Sequence, residues 1–211
     1  MQLTTNNSGR GSLATLQRFV RKPVAGAERC ELCGAVLRSD HAHLLQLERR
    51  QLTCACEPCA ILFGGNARQA YRRIPRDLVR LNDFAMSDHE WDSLLIPINL
   101  AFFVRGADGR TSAQYPSPGG AMESLLDLEY WDAIVDRNPL LRRFEPDVEA
   151  LLVNRLGDTP LHFRTPIDQC FKLVGIIRKQ WRGLSGGSEV WQEIDRFFEQ
   201  LKQVTSEASC A

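Results

Sequence analysis

Five of the seven cysteines and two of the four histidines fall between Cys30 and Gly64. The cysteines include two Cys-x₂-Cys pairs, Cys30 with Cys33 and Cys56 with Cys59. Two thiolates separated by two residues can bind one metal ion from a single tight turn, whereas four reduced cysteines in an ordinary core have no reason to adopt this double spacing. The stretch therefore predicts a metal site around which the neighbouring chain must fold.

Length and composition are those of an ordinary globular protein. The chain has 211 residues, 44% of them apolar and 25% charged, which suits one large domain or two small ones with a real core. No run approaches the roughly 18 apolar residues of a membrane-spanning helix, and residues 1–11 lack the apolar segment of a secretory signal. We therefore expect a cytoplasmic protein without a membrane span, in which paired cysteines favour a metal ion over a disulfide.

The order of elements around the cysteine pairs predicts a treble-clef zinc module. Residues 30–34 form a zinc-knuckle sequence, in which the glycine after the second cysteine lets the backbone turn beneath the sulfurs. The leucines of residues 43–53 predict a hairpin, and Pro58 fits the first turn of a helix that carries the second pair. The predicted centre is a closed, tetrahedral site for structural Zn²⁺. Its four ligands are Cys30, Cys33, Cys56 and Cys59.

Two neighbouring residues leave the ligand set open. Cys54 lies two residues before Cys56 on the same strand face, so it could replace Cys56 as a ligand, although we favour a buried thiol. His43 is the next alternative ligand. The four thiolates also suit iron in a rubredoxin-like site, and the sequence does not separate iron from zinc.

The remaining patterns divide the chain into four parts. Residues 1–27 are predicted to be a disordered lead with a short helix at 13–21, and residues 28–86 to be the Cys₄ zinc module with a basic helix. Residues 87–203 are predicted to form an α+β domain, followed by a tail at 204–211. The predicted fold class is therefore α+β, with an N-terminal treble-clef-like zinc module packed on a mixed α+β domain.

Apolar runs, turn residues and helix-start signals predict the elements of the second domain. The predicted strands are residues 96–104, 111–115 and 147–155, and the predicted helices are residues 125–135, a segment capped by Thr165 and a segment from Ser188.

Charge is unevenly distributed although the net charge is zero. Residues 1–86 carry 13 Lys and Arg against 7 Asp and Glu, while residues 87–211 carry 13 against 19, so the two parts have net charges of +6 and −6. Arginines are dense in residues 67–80, where a solvated face with arginines lying along apolar surface is the simplest interpretation. A docking patch for an acidic partner is the functional alternative. Tyr71 is the lone aromatic residue there, which argues against nucleic acid as a partner.

Residues 30–64 also resemble the His-Me finger nucleases, in which cysteine pairs flank an Asp-His motif. In that family zinc is structural, and the motif supplies a metal ligand and the base that activates water; carried to this chain, these are Asp40 and His41. The family completes its catalytic metal site with an Asn directly after the last cysteine, where this chain has Ala60. The resemblance implies a metal-dependent nuclease as an alternative function, but alanine cannot bind an ion. A turn or metal-orienting role for Asp40, His41 and His43 is the simpler interpretation.

A wider resemblance covers most of the chain, from about Cys30 to Leu201. It rests on five segments, which are residues 30–34, 54–60, 115–118, 145–152 and 181–187. In these segments the chain resembles an uncharacterised bacterial family encoded beside oxygen-tolerant, actinobacterial-type nickel–iron hydrogenases. The resemblance implies a non-enzymatic, metal-binding accessory or adaptor protein that assists assembly or maturation of the hydrogenase. The implied partner is a hydrogenase subunit or maturation factor, and no catalytic residue is carried over.

Overall fold

The computed structural model describes residues 27–65, 70–124, 128–183 and 186–208, which form an α+β fold with two sheets. The strands are β1 (Ala42–Gln46), β2 (Gln51–Ala55), β3 (Tyr71–Arg73), β4 (Val79–Leu81), β5 (Leu100–Arg105), β6 (Thr111–Ser117), β7 (Gly120–Ser124), β8 (Glu149–Asn154), β9 (Leu161–Pro166) and β10 (Ser206–Ala208). The helices are α1 (Glu57–Gly64), α2 (Asp88–Ser93), α3 (Leu128–Arg137), α4 (Ile167–Gln180) and α5 (Gly187–Val204), with a 3₁₀ turn at Pro139–Arg143. The short helix predicted at residues 13–21 lies outside the described residues.

The small sheet has the order β2-β1-β3 and is antiparallel throughout. Its β1–β2 hairpin confirms the hairpin predicted from residues 43–53. Successive side chains of a strand point to opposite faces, and β1 is apolar on both. Leu44 packs in a small core with the cysteine pairs, while Leu45 packs in the core of the large sheet. The central strand therefore joins the cysteine-rich module to the remainder of the fold.

The large sheet has the order β10-β4-β9-β8-β5-β6-β7, antiparallel except for the β10–β4 pair. Every residue of β8 is buried, as expected for a strand covered on both faces. Leu152 faces a core shared with α4 and α5, whereas Leu151 and Val153 face a core that contains Trp91 of α2. The fold is thus a sheet between two helical layers, with the small sheet on the α4 side. No helix in the described ranges is long and apolar enough to cross a membrane.

Several local predictions for this domain agree with the structure. The strands predicted at residues 96–104 and 111–115 are present as the paired β5 and β6. The strand around residues 147–155 and all three predicted helices are also present, with shifted ends. The predicted cap at Thr165 is wrong, because Thr165 belongs to β9 and its hydroxyl donates to the carbonyl of Pro166. Helix α4 then begins at Ile167 without a side-chain cap.

The basic helix predicted within residues 67–80 is wrong from residue 71 onward, where the structure has β3 and β4. Pro75 explains the difference, because it lacks an N–H donor and restricts the preceding residue to extended backbone. β3 pairs with β1 of the small sheet, whereas β4 pairs with β9 of the large one. The predicted domain boundary at residue 86 stays a prediction, and the segment before it contributes a strand to the large sheet.

Adjacent arginines of β3 make very different ion pairs. The guanidinium of Arg72 donates to the carbonyl of Pro146 at 2.7 Å and to the carboxylate of Asp147 at 2.9 Å. The side chains of Arg72 and Asp147 are 15% and 10% exposed. Arg73 instead bonds Glu57 at 2.6 Å, and the side chains of that pair are 38% and 53% exposed. The buried pair therefore joins the small sheet to the segment before β8.

Replacing Arg72 by alanine should destabilise the fold far more than replacing Arg73. Arg72→Ala leaves the Asp147 carboxylate buried without its closest cation, at a cost of roughly 3 kcal/mol or more. Arg73→Ala removes an exposed pair worth about 0–1 kcal/mol. Chemical denaturation of both variants gives the free energies of unfolding. Equal losses of unfolding free energy in the two variants would contradict the stabilising role of the buried Arg72–Asp147 pair.

His162 is a buried histidine held by apolar packing. It lies in β9 with 8% of its surface exposed, and its ring centre is 4.7 Å from that of Phe84. Its Nε2 has no hydrogen-bond partner among the described residues. Burial, reinforced by the positive charge of Arg155, lowers the pKa of His162 to about 4. The folded protein therefore holds this imidazole neutral at a pH where the unfolded chain protonates it.

Stability should fall on acidification from about pH 6.5 to about pH 4 through this residue. Over that range the unfolded state binds a proton at His162 that the folded state does not. The free energy of unfolding therefore rises with pH, and the contribution of His162 reaches its full value above pH 6.5. The contribution is on the order of 3 kcal/mol. In His162→Phe the slope of stability against pH should be smaller across this window. His89→Gln, at an exposed histidine, is the control that should keep the wild-type slope.

Candidate metal centre

A tight turn brings the first cysteine pair together. The N–H of Gly34 donates to the carbonyl of Cys30 at 2.8 Å, and the N–H of Cys30 donates to the carbonyl of Ala35, also at 2.8 Å. Gly34 has a φ of +74°, a left-handed conformation that glycine adopts without steric cost. The knuckle is attached to β2, because the N–H of Glu31 donates to the carbonyl of Cys54.

The second pair lies at the start of α1, as the sequence predicts. Cys56 is the N-terminal cap residue in extended backbone, and Pro58 occupies the first turn. The N–H of Ala60 donates to the carbonyl of Cys56 at 2.9 Å, which closes that turn. Cys59, three residues after Cys56, therefore lies on the same side of the helix and faces the knuckle.

The four predicted ligands form one cluster. Their sulfur atoms all lie within 4.8 Å of one another, and the Sγ atoms of Cys33 and Cys56 are 3.6 Å apart. Four sulfurs at about 2.3 Å from a tetrahedral Zn²⁺ are roughly 3.8 Å apart, so the cluster has the dimensions of such a site. Cys30 and Cys59 are buried, while Cys33 is exposed. The chain thus contains a Cys₄ group that can hold a metal ion, and that these four residues bind one stays a prediction.

The electrostatics of the cluster favour a cation at its centre. Burial raises the pKa of Cys30, but hydrogen bonds from the backbone N–H groups of Cys56 and Cys33 outweigh it and lower the pKa to about 6. Burial and the neighbouring thiols raise the pKa of Cys59 to about 12. Four thiolates this close repel one another, so they can all be charged only when a metal ion compensates them. The donors suit zinc or iron and leave no position open for a substrate.

Cys54 and His43, the two alternative ligands, lie outside this cluster. Cys54 is half-buried, and its N–H donates to the carboxylate of Glu31 at 2.7 Å. Its Sγ instead lies with His41 and His43, and the donor atoms of these three residues are within 4.8 Å of one another. The sequence shows the His-x-His motif and Cys54, but it does not show that the two lie opposite each other. That requires the strand register, so the group could not be predicted from the sequence.

Asp40 and His41, the Asp-His pair of the nuclease resemblance, line one cavity but make different contacts. Asp40 is exposed and accepts from the Nε of Arg38 at 3.1 Å. A hydrogen bond from its own backbone, together with the Arg38 guanidinium, lowers the pKa of Asp40. His41 lies with His43 and Cys54, a group that does not include Asp40. Ala60 is fully buried. The geometry therefore does not favour a catalytic role for this pair.

Comparison with protein-family models identifies one match. The model of a family of unknown function, DUF5947, matches residues 29–205, and the chain therefore belongs to this family. No curated protein and no solved structure matches the chain.

Replacing one ligand of the Cys₄ group should remove a metal ion and destabilise the small module. Cys30→Ser should lose one equivalent of metal relative to wild type by elemental analysis, because three thiolates hold the ion less tightly. If the free energy of unfolding falls by roughly 3 kcal/mol, Tm should fall by about 6–12 °C in a chain of this size.

The matched control is Cys170→Ala, since Cys170 is buried in the large core far along the chain from the cluster. This variant should keep its full metal content. A strong chelator should lower the Tm of wild type but hardly that of Cys30→Ser. Unchanged metal content and Tm in Cys30→Ser would contradict the site.

Proposed function

We propose that this member of the DUF5947 family is a non-enzymatic, zinc-binding adaptor protein of the cytoplasm that assists assembly or maturation of a nickel–iron hydrogenase. The observation that carries the adaptor role is a closed Cys₄ group beside an exposed apolar helix surface. The hydrogenase as partner rests on the resemblance of residues 30–201 described above, and the family match does not name one.

The Cys₄ group supports a structural role because all four coordination positions of a tetrahedral ion are filled by the protein. Zn²⁺ has no redox chemistry, and a closed site gives it no position for substrate or water. Its effect is to fix the knuckle against the first turn of α1. A metal used in this way determines the shape of a surface, which suits binding better than catalysis.

Helix α1 presents a surface that a partner could cover. Ile61 and Leu62 are each 65% exposed and Phe63 is 38% exposed, and the three follow Cys59 and the buried Ala60. Contiguous exposed apolar side chains are a feature of protein–protein interfaces. We call these three residues the α1 apolar surface. Because Cys56 caps α1 and Cys59 lies in its first turn, the metal centre positions this surface, and the proposal links metal binding to partner binding through it.

Iron and nuclease functions make different predictions from the zinc adaptor. The same thiolates bind iron, and a red, reducible centre in place of a colourless one would move the function toward electron transfer or iron delivery. A nuclease would nick plasmid DNA with Mg²⁺ or Mn²⁺, and His41→Ala would abolish that activity. Asp40 is not among the donor residues grouped with His41, and Ala60 occupies the position of the nuclease Asn, which argues for the adaptor.

The partner is tested by affinity capture from cells that produce the hydrogenase. Tagged wild-type protein should recover a hydrogenase subunit or maturation factor. Ile61→Asp should reduce the recovery at least several-fold, because a charge at the centre of an apolar contact is left desolvated. Mass spectrometry of the captured proteins gives the measurement.

Leu95→Asp is the matched control for this capture. Leu95 is 75% exposed and has a φ of +53°, a conformation that aspartate tolerates well, so the same apolar-to-charged change occurs away from α1. It should retain wild-type recovery. Capture of no hydrogenase or maturation subunit by wild type would refute the proposed partner. Equal loss in both variants would refute the role of the α1 apolar surface.

A further inference from the structure

A second group of metal-ligating side chains lies on the opposite face of the β1–β2 hairpin from Leu44. His43 and Cys54 are direct partners in the antiparallel register, so their side chains leave the same face of the sheet. His41 immediately precedes β1, and its ring centre lies 4.8 Å from that of His43. One nitrogen from each imidazole and the Sγ of Cys54 all lie within 4.8 Å of one another. Strand pairing therefore brings three donor atoms together.

The hydrogen bonds of both imidazoles leave Nε2 as the free donor atom. The Nδ1 of His41 lies 2.8 Å from the carbonyl oxygen of Arg38, which can only accept, so Nδ1 carries the proton. The Nδ1 of His43 lies 2.7 Å from the carboxylate of Asp168, which imposes the same tautomer. Metal-binding histidines have this arrangement, with one nitrogen held by a carbonyl or carboxylate and the other on the metal.

The burial of His41 points to a missing partner. Its side chain is only 8% exposed, and its Nε2 is buried without a hydrogen-bond partner in the described part of the chain. A buried, unpaired acceptor costs about 1–3 kcal/mol. The Oδ1 atom of Asp168, the residue that holds His43, is buried and unpaired in the same way. A metal ion on Nε2 would satisfy the first of these atoms directly.

From this geometry we propose that His41, His43 and Cys54 form a second metal site, separate from the Cys₄ group. Two imidazoles and one thiolate suit a divalent ion of the cobalt, nickel, copper and zinc series and disfavour Mg²⁺ and Ca²⁺. Three protein ligands leave a tetrahedral ion with a fourth position for water or another ligand. The second site is therefore open where the first is closed.

The surroundings are consistent with an ion that exchanges. His43 and Cys54 are half-buried, and His41 lines a cavity of about 340 Å³ that also includes Asp40 and Arg76. Cys54 belongs to β2 and precedes Cys56, the cap residue of α1, by two residues, so the two metal groups are close in the chain. Asp168 belongs to α4, so the second site lies where the small sheet meets that helix.

The test is a metal titration of the full-length, metal-free protein under reducing, oxygen-free conditions, with Co²⁺ as the probe. Wild type should bind two equivalents, both with thiolate-to-cobalt absorption, and the weaker band should belong to the site with one thiolate. His43→Ala and Cys54→Ala should bind one equivalent and keep the spectrum of the Cys₄ group. Elemental analysis after gel filtration gives the count independently of the spectrum.

Three further variants separate the site from its surroundings. His89→Ala, at an exposed histidine, should keep two equivalents. Cys30→Ser should lose the Cys₄ spectrum, which distinguishes failure of the first site from failure of the second. Asp168→Asn should weaken the second equivalent roughly 10- to 100-fold without changing the first, because Asp168 orients His43 without touching the ion.

Two results would overturn the second site. One is a wild-type protein that binds a single equivalent of Co²⁺, with His43→Ala unchanged. The other is loss of the Cys₄ spectrum in His43→Ala or Cys54→Ala while circular dichroism shows native secondary structure, because the histidines would then serve the first centre. Neither result bears on the hydrogenase partner, which the capture experiment tests on its own.

Discussion

The pairing of β1 with β2 determines what both faces of the small sheet can hold. Along β1, Ala42 and Leu44 point toward the cysteine pairs, while Leu45 points into the core of the large sheet and His43 points toward Asp168 of α4. Because side chains alternate strictly, a shift of one residue would exchange these faces and destroy both environments together. The register that places His43 opposite Cys54 is thus the constraint on which both metal groups and the docking of the module depend.

A module of this kind cannot be stabilised by apolar burial alone. Its own core has six buried residues, of which two are cysteines, three are alanines and one is Leu44. At about 0.8 kcal/mol for each buried methylene, alanines contribute little against the conformational entropy of some 35 ordered residues. Small domains compensate with metal ions or by packing on a partner, and this one has the means for both. Leu45, Ile74 and the Arg72–Asp147 pair attach it to the large sheet and its helices.

The sequence could predict the elements that depend on residues close together in the chain, but not those that depend on distant partners. The knuckle, the hairpin and the start of α1 depend on residues within a few positions of one another, so Cys30 and Pro58 were sufficient signals. β4 and β9 could not be found in this way, because their partners are distant in the chain and Pro75 and Thr165 have local patterns typical of helix starts and breaks. The grouping of His41 with Cys54 required the register itself, which spacing does not contain.

The two metal groups differ in their contact with helix α4. The Cys₄ group is built entirely from the module, whereas His43 reaches α4 through Asp168. An ion on Nε2 draws electron density from the ring, which makes Nδ1–H a stronger donor and the hydrogen bond to Asp168 more favourable. By linkage, anything that moves the small sheet away from α4 would weaken the binding of such an ion, and loss of the ion would weaken the contact by the same free energy. The open site would thereby couple metal occupancy to the position of the module, and hence to that of the α1 apolar surface.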